Sequence, residues 1–244
     1  MKRDVWRLVM SFIVVMVFST SMKAQDKVEV GVGADLVSGY IWRGQNLGGV
    51  GIQPSASVAW KGLSLTAWGA VGFDNDDAKE FDLTLGYSVG GFSVSVTDYS
   101  FNKGDNFKTG NAIDGKYFHY GANSTLHVFE AQVGYDFRFL ALNWYTNIGG
   151  NDGLKKNGKR AYSSYLTLSA PFKLGGLDWE ATVGATPWET SFYNGGVGGF
   201  AVSEVALQAT KVIRVTDSFS LPLFAKVIWN PATEDGYFTM GLSL

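Results

Sequence analysis

The chain has 244 residues, of which 46% are hydrophobic, 17% charged and 15% aromatic, with two histidines and no cysteine. This composition excludes a disordered chain, a disulfide-linked scaffold and a cysteine-ligated zinc or iron–sulfur centre. Two histidines argue against a multi-histidine metal site, and a formal net charge of −2 argues against nucleic-acid binding. We therefore expect a glycine-rich globular or membrane protein with no cofactor and no resident metal.

The first segment, 1–25, has the pattern of a secretory signal peptide. Basic residues precede an almost unbroken apolar run over 8–18, and a short polar exit follows. That run is too short for a helix spanning about 30 Å of hydrocarbon, which disfavours an N-terminal membrane anchor. The sequence predicts cleavage near Ala24 or Gln25 and a mature domain over 26–244.

From residue 28 onward, apolar and polar residues alternate with a period of two, which is typical of half-buried β-strands. Twelve such segments are predicted, at 28–43, 52–60, 63–73, 81–89, 92–97, 129–137, 140–147, 165–173, 177–183, 204–214, 219–229 and 237–244. The pattern loses its phase at Asp98, which suggests a bulge there. Short and long connections alternate, as in outer-membrane barrels with tight periplasmic turns and long external loops. The longest connection, 102–124, leaves room for an extra short strand pair.

Aromatic residues on the apolar face concentrate at the strand ends, while small aliphatic residues fill the middle. The long-loop ends carry Tyr40, Trp42, Phe73, Phe81, Phe101, Trp229 and Phe238. The short-turn ends carry Trp60, Tyr87, Phe92, Tyr135, Phe137, Phe172, Trp179 and Phe219. Two such girdles fit a bilayer. The charged opposite face fits a wet or salt-bridged lumen better than the dry core of a β-sandwich or lipocalin-like barrel.

These features together predict an all-β fold, an antiparallel up-and-down transmembrane β-barrel of about twelve strands. We expect it to lie in the outer membrane of a Gram-negative cell.

The end of the first predicted strand carries a distinct motif, Ser-Gly-Tyr-Ile-Trp-Arg-Gly at 38–44, and Pro54 lies in the second strand. The segment resembles the opening of the Gcw_chp family of uncharacterised Gram-negative envelope proteins, which begin with Ser-x-Tyr-x-x-Arg-Gly and a proline-containing strand. Segments 80–83 and 97–99 are also similar to that family. The resemblance implies an envelope location and a β-rich fold, and it implies no activity.

Arg43 falls on the polar face at the rim of the first predicted strand, and Asp35 lies on the same face. One role open to Arg43 is an anion-contacting constriction at a pore mouth. The other is a structural ion pair with a lumen carboxylate such as Asp82 or Glu204. We favour the ion pair, because a charge placed inside the barrel must be satisfied in any case.

Further acidic and basic residues follow the polar face of the other predicted strands. The candidate lumen or constriction residues are Arg43, Asp35, Asp82, Glu130, Glu204 and Lys226. Because both signs of charge are mixed, no charge selectivity is predicted. Lys173 and Asp178 flank one short turn and are expected to face each other across it.

An envelope enzyme is the least favoured class. His127 is in phase with the lipid face, and Ser124 and Asn123 are near it in sequence. A lipid hydrolase would need such groups to converge in space, and no nucleophile motif accompanies them. We therefore expect no enzymatic activity and assign no catalytic residue.

The leading functional hypothesis is a narrow passive channel for ions or small solutes. Trp68, Tyr145, Tyr165 and Phe224 would narrow the lumen of a twelve-stranded barrel. The alternative is a closed structural or surface-interaction barrel that acts through its external loops. Expected partners are outer-membrane lipid, lipopolysaccharide, whose phosphates the basic loop 155–160 would contact, and the barrel-assembly machinery.

Overall fold

The computed structural model describes residues 27–74, 77, 79–121, 124–193, 197–217 and 219–244. The predicted signal peptide lies outside these residues. The described part contains no helix long and apolar enough to cross a membrane.

Sixteen strands run through the described residues. They are β1 (Glu29–Val37), β2 (Tyr40–Trp42), β3 (Gln45–Gly48), β4 (Gly51–Trp60), β5 (Leu63–Gly72), β6 (Lys79–Val89), β7 (Phe92–Phe101), β8 (Lys103–Asp105), β9 (Ala112–Asp114), β10 (His127–Asp136), β11 (Ala141–Gly150), β12 (Ser164–Leu174), β13 (Leu177–Thr186), β14 (Ala201–Arg214), β15 (Ser220–Asn230) and β16 (Asp235–Ser243).

Twelve of these strands close into one antiparallel barrel, in the order β1-β4-β5-β6-β7-β10-β11-β12-β13-β14-β15-β16 and back to β1. Each wall strand pairs with the wall strands before and after it in the chain, so the barrel is an up-and-down meander. The predicted fold class is therefore confirmed. The β1–β16 seam closes the barrel through a short ladder, in which Asp35, Leu36 and Val37 pair with Ser243, Leu242 and Gly241. Register shifts occur between Phe129 and Glu130 and between Gly184 and Ala185.

Two-residue turns join several wall strands at one end, here called the short-turn end. Lys61 and Gly62 both have positive φ, at 49° and 86°, and the glycine pairs at 90–91 and 175–176 do the same. Two consecutive positive φ angles are the signature of a type I′ turn, whose twist matches that of the flanking strands. The opposite end, here called the long-loop end, carries the remaining connections.

The outer wall of the barrel is apolar and exposed. Leu85 is 54% exposed although it pairs with strands on both sides, and Val30 and Val32 on β1 are 69% and 74% exposed. Exposed aromatic side chains at the long-loop end are Phe73, Phe81, Trp229 and Phe238, and those at the short-turn end are Trp60, Tyr87, Phe92, Tyr135, Phe137, Phe172 and Phe219. An apolar band between two aromatic girdles suits a bilayer rather than water.

The first predicted strand was too long, because the wall strand β1 ends at Val37. Ser38 and Gly39 divert the chain: the Ser38 hydroxyl accepts from the Met240 backbone N–H at 2.9 Å, and the Thr239 hydroxyl donates to the Gly39 carbonyl at 2.9 Å. The next residues form a hairpin from β2 and β3 that enters the lumen. Its residues 38–48 are called the plug hairpin below.

Three residues expected in the aromatic girdle, Tyr40, Trp42 and Phe101, lie elsewhere. Tyr40 and Trp42 belong to the plug hairpin and pack against Trp68 and Tyr99 inside the barrel. Phe101 lies on the lumen side of β7, opposite Glu80. Alternation alone does not distinguish a strand that continues in the wall from one that folds inward.

The expected irregularity at Asp98 is also wrong, since β7 runs in register from Phe92 to Phe101. Asp98 faces outward, where its carboxylate lies 2.7 Å from Nδ1 of His127. A polar residue on the outer face breaks the sequence pattern without breaking the strand. The extra strand pair expected within 102–124 is confirmed as β8 and β9, which form a separate small sheet.

Candidate functional site

The plug hairpin turns at Arg43 and Gly44, which have φ angles of 51° and 77°. This is again the geometry of a type I′ turn, and Trp42 pairs with Gln45 across it. A side chain at Gly44 would place Cβ 1.8 Å from the Ser203 carbonyl oxygen. Glycine is therefore required at the tip, and the turn aims Arg43 into the lumen.

Arg43 meets Glu130, a lumen residue of β10, in a two-bond ion pair. The guanidinium nitrogens lie 2.5 and 2.9 Å from the two carboxylate oxygens, and the side chains are only 7% and 2% exposed. Planar, bidentate arginine–carboxylate pairs combine charge with fixed geometry. Arg43 thus forms a structural ion pair, with Glu130 rather than with the expected Asp82 or Glu204.

Phenol groups complete the hydrogen bonding of this pair. Tyr193 accepts from Arg43 and donates to Glu130 at 2.5 Å, while Tyr99 donates to the other Glu130 oxygen at 2.8 Å. Burial raises the pKa of the Tyr193 hydroxyl well above its usual value, an effect that Arg43 opposes and Glu130 reinforces. Tyr193 therefore remains protonated, and a donor to Glu130, at physiological pH.

Aromatic rings surround the Arg43 guanidinium. Its central carbon lies 4.3 Å from the ring centroid of Trp42, 4.1 Å from that of Tyr145, and 4.9 and 5.0 Å from those of Tyr165 and Tyr193. Cation–π contacts strengthen when the cation is desolvated, as it is here. The rings thus bind Arg43 and exclude water from it.

A second ion pair lies beside the first. Lys226 on β15 is 2.9 Å from Glu204 on β14, and Tyr165 donates to the other Glu204 oxygen at 3.2 Å. Because Tyr165 also faces Arg43, both ion pairs belong to one polar network. Asn230 ties the hairpin tip to this wall by donating to the Gly44 carbonyl at 3.0 Å.

The connection between β13 and β14 also enters the lumen. Thr190 and Tyr193 are fully buried, and Phe192 packs edge-on against Trp42 at 6.3 Å between ring centroids. The Thr190 hydroxyl is hydrogen-bonded to that of Ser163 at 2.5 Å. This inward loop and the plug hairpin pack against each other inside the lumen at the long-loop end.

Lumen side chains are buried near the plug hairpin and more exposed to solvent at the short-turn end. Near the plug hairpin, Asn147, Tyr165 and Asn230 are at most 1% exposed. Toward the short-turn end, the lumen pair Lys173 and Asp178 has side chains 77% and 32% exposed. The lumen is therefore filled at the long-loop end, and its charged pair at the short-turn rim is accessible to solvent.

The candidate residues predicted from sequence fall into three places. Arg43, Glu130, Glu204 and Lys226 come together in the network at the plug hairpin. Asp82 lies on the lumen face of β6 beside Glu80, and Asp35 lies on β1 opposite Ser243. Lys173 and Asp178 face each other across their turn as predicted, 2.5 Å apart.

Sequence reasoning missed several members of the network. Tyr193 lies in a connection between strands, where no periodicity applies. Outside the network, sequence reasoning also misses Glu80, because the predicted strand starts at 81 whereas β6 begins at Lys79. Tyr99 and Asn147 are in phase with the lumen, but the pattern does not tell which lumen residues meet the plug hairpin. The signal that the sequence offers for Tyr193 is an aromatic residue two positions before the glycine-rich stretch 195–199.

The two histidines occupy different environments. His127 is 1% exposed, with Nδ1 at 2.7 Å from Asp98 and Nε2 at 2.7 Å from the Tyr117 carbonyl. Ser124 instead lies 2.6 Å from Nε2 of His119, on the exposed surface. His127 is thus not placed as a base for Ser124, and Asn123 lies outside the described residues. Within the described residues, no group of three or more His, Asp or Glu side chains is arranged to hold a metal.

No protein family and no curated protein matches the chain. Two crystal structures align with 93% of it: OccK9 (OpdG) of Pseudomonas aeruginosa, at 14% identity and a TM-score of 0.34, and a variant of OccD1 (OprD), at 12% and 0.36. The chain spans 64% and 66% of their lengths. Structural similarity at this level does not indicate a function.

Proposed function

We propose that the protein is an outer-membrane β-barrel that is closed at its long-loop end and acts as a structural or surface-interaction protein through its external loops. One observation carries the proposal: the Arg43–Glu130 pair joins the plug hairpin to the wall inside a shell of aromatic rings. An open, water-filled path would expose these groups, whereas both are nearly fully buried.

The outer surface supports a membrane location. Its exposed apolar band and two girdles would be costly in water and stable in hydrocarbon. Together with the predicted signal peptide, this surface favours a Gram-negative outer membrane, with the long loops outside the cell. We place the protein near the Gcw_chp family as a proposal that rests on the 38–44 motif, on Pro54 and on the similar segments 80–83 and 97–99.

The loops offer the contacts that a surface-interaction role requires. Lys155, Lys156 and Lys159 project from the loop between β11 and β12, and Phe118 and Phe200 are 89% and 66% exposed at the same end of the barrel. We propose lipopolysaccharide as the neighbour of this rim, since cations bind phosphate and aromatic rings suit the interface. The barrel-assembly machinery is the proposed partner during insertion.

A narrow channel for ions or small solutes is the second candidate. The short-turn half of the lumen favours it, because small polar residues such as Ser64, Ser93 and Thr182 line the wall there. In this hypothesis solute passage requires the plug hairpin to leave the lumen. The barrel would then be a gated channel rather than a permanently open one.

Conductance of the refolded mature protein in a planar bilayer tests whether the barrel is closed at rest. Folding is first checked by the gel shift between unheated and heated samples. We expect the wild type to be silent and a variant lacking residues 39–49 to conduct in discrete steps. Steady steps from the wild type would refute the closed barrel, and Lys173→Ala, at the short-turn end, serves as the control variant.

A further inference from the structure

Five acidic side chains are buried among the described residues, and three of them bind a cationic side chain. These three pairs are Glu130 with Arg43, Asp152 with Arg160 and Glu204 with Lys226. Glu80 and Asp82 are the other two, at 7% and 6% exposed. In the described part of the chain, neither has a lysine, arginine or histidine within ion-pair distance.

The two carboxyl groups lie together. Glu80 and Asp82 are two residues apart on β6 and therefore share its lumen face, within hydrogen-bonding reach of each other. The Tyr40 hydroxyl of the plug hairpin bonds to Glu80. The pair thus lies where the plug hairpin meets the wall.

One oxygen of the pair has no partner. Oδ1 of Asp82 is buried from solvent and receives no hydrogen bond. A single proton shared between the carboxyl groups would join one oxygen of each and would leave this oxygen unsatisfied. A buried acceptor without a partner is costly, so this oxygen favours a hydrogen-bond donor or a cation beside it.

We propose that Glu80 and Asp82 bind a hard divalent cation of the Ca²⁺ or Mg²⁺ class. The available donors are carboxylate and hydroxyl oxygens, which such cations prefer, and two carboxylates balance a charge of +2. Because only two carboxylates are present, the Tyr40 hydroxyl and water complete the coordination. The cation ties the plug hairpin to β6, and the site does not depend on whether the barrel conducts.

Metal content tests the proposal directly. The full mature chain is folded in detergent, stripped with a chelator, equilibrated with CaCl₂, desalted and measured by mass spectrometry. We expect about one Ca²⁺ per wild-type chain and loss of that ion in the double variant Glu80→Gln/Asp82→Asn. Glu180→Gln, a lumen carboxylate on the opposite wall, should keep the ion.

The acidic rim residue Asp77 offers a rival site, since it also has a buried oxygen without a hydrogen bond. Asp77→Asn should retain the ion if the proposal is right. Loss of the ion in Asp77→Asn, with retention in Glu80→Gln/Asp82→Asn, would overturn it. Absence of Ca²⁺ and of Mg²⁺ from the folded wild type would overturn it as well.

A stability readout distinguishes a cation from a shared proton. The temperature at which the folded gel band disappears should rise with CaCl₂ in the wild type and stay constant in Glu80→Gln/Asp82→Asn. Both proteins must show the folded band before heating, which controls for misfolding. If the wild-type midpoint responds to pH alone and ignores Ca²⁺ and Mg²⁺, the pair carries a proton and the cation site is refuted.

Discussion

Replacing Glu130 with glutamine should destabilise the folded barrel strongly. The substitution preserves shape but leaves the Arg43 guanidinium buried without a counter-charge. Removing one partner of a buried ion pair costs about 3–5 kcal/mol. The upper part of this range is expected, because both side chains are under a tenth exposed and two phenols also lose a charged acceptor.

Equilibrium unfolding in guanidinium chloride, followed by tryptophan fluorescence in detergent micelles, measures this cost. The double variant Arg43→Met/Glu130→Gln supplies the matched comparison. It removes both charges, so it should be more stable than Glu130→Gln alone. A Glu130→Gln midpoint equal to that of the wild type, with the gel shift intact, would show that the pair does not hold the plug hairpin in place.

Three further perturbations test other parts of the structure. Gly44→Ala should displace the hairpin tip from Ser203 and cost about 1–3 kcal/mol in unfolding free energy, and an unchanged midpoint would contradict the assigned turn. Lys173→Met removes a mostly exposed pair and should change stability by under about 1 kcal/mol, so a larger loss would show a hidden role. His127 links Asp98 to the Tyr117 carbonyl, so His127→Gln should loosen the segment before β10. Limited proteolysis should then show faster cleavage at 115–121, and cleavage at the wild-type rate would contradict this role.

The barrel wall could be predicted from the sequence because its two faces differ in polarity. An apolar outer face and a polar lumen face impose a period of two on every wall strand, and tight turns at Lys61-Gly62 and Gly90-Gly91 mark where the chain reverses. Asp98 shows the limit of this signal. Its outward carboxylate is satisfied by His127, which only the neighbouring strand supplies.

The network at the plug hairpin could be predicted only in part. The motif at 38–44 singles out Arg43, but its partner depends on how far the hairpin reaches across the lumen. Glu130 lies 87 residues away and Tyr193 lies 150 away along the chain. A local sequence pattern does not predict contacts between residues so far apart in the chain. These contacts depend on closure of the barrel and on the inward turn of the hairpin, and the alternation of apolar and polar residues indicates neither.

The root of the plug hairpin has a consequence for the order of folding. The contacts of Ser38 and Gly39 with Met240 and Thr239 span about two hundred residues and lie beside the β1–β16 seam. Contacts of such high sequence separation carry a large loop-closure cost, which slows their formation. The root of the hairpin therefore reaches its place only when the two ends of the barrel wall meet at the seam.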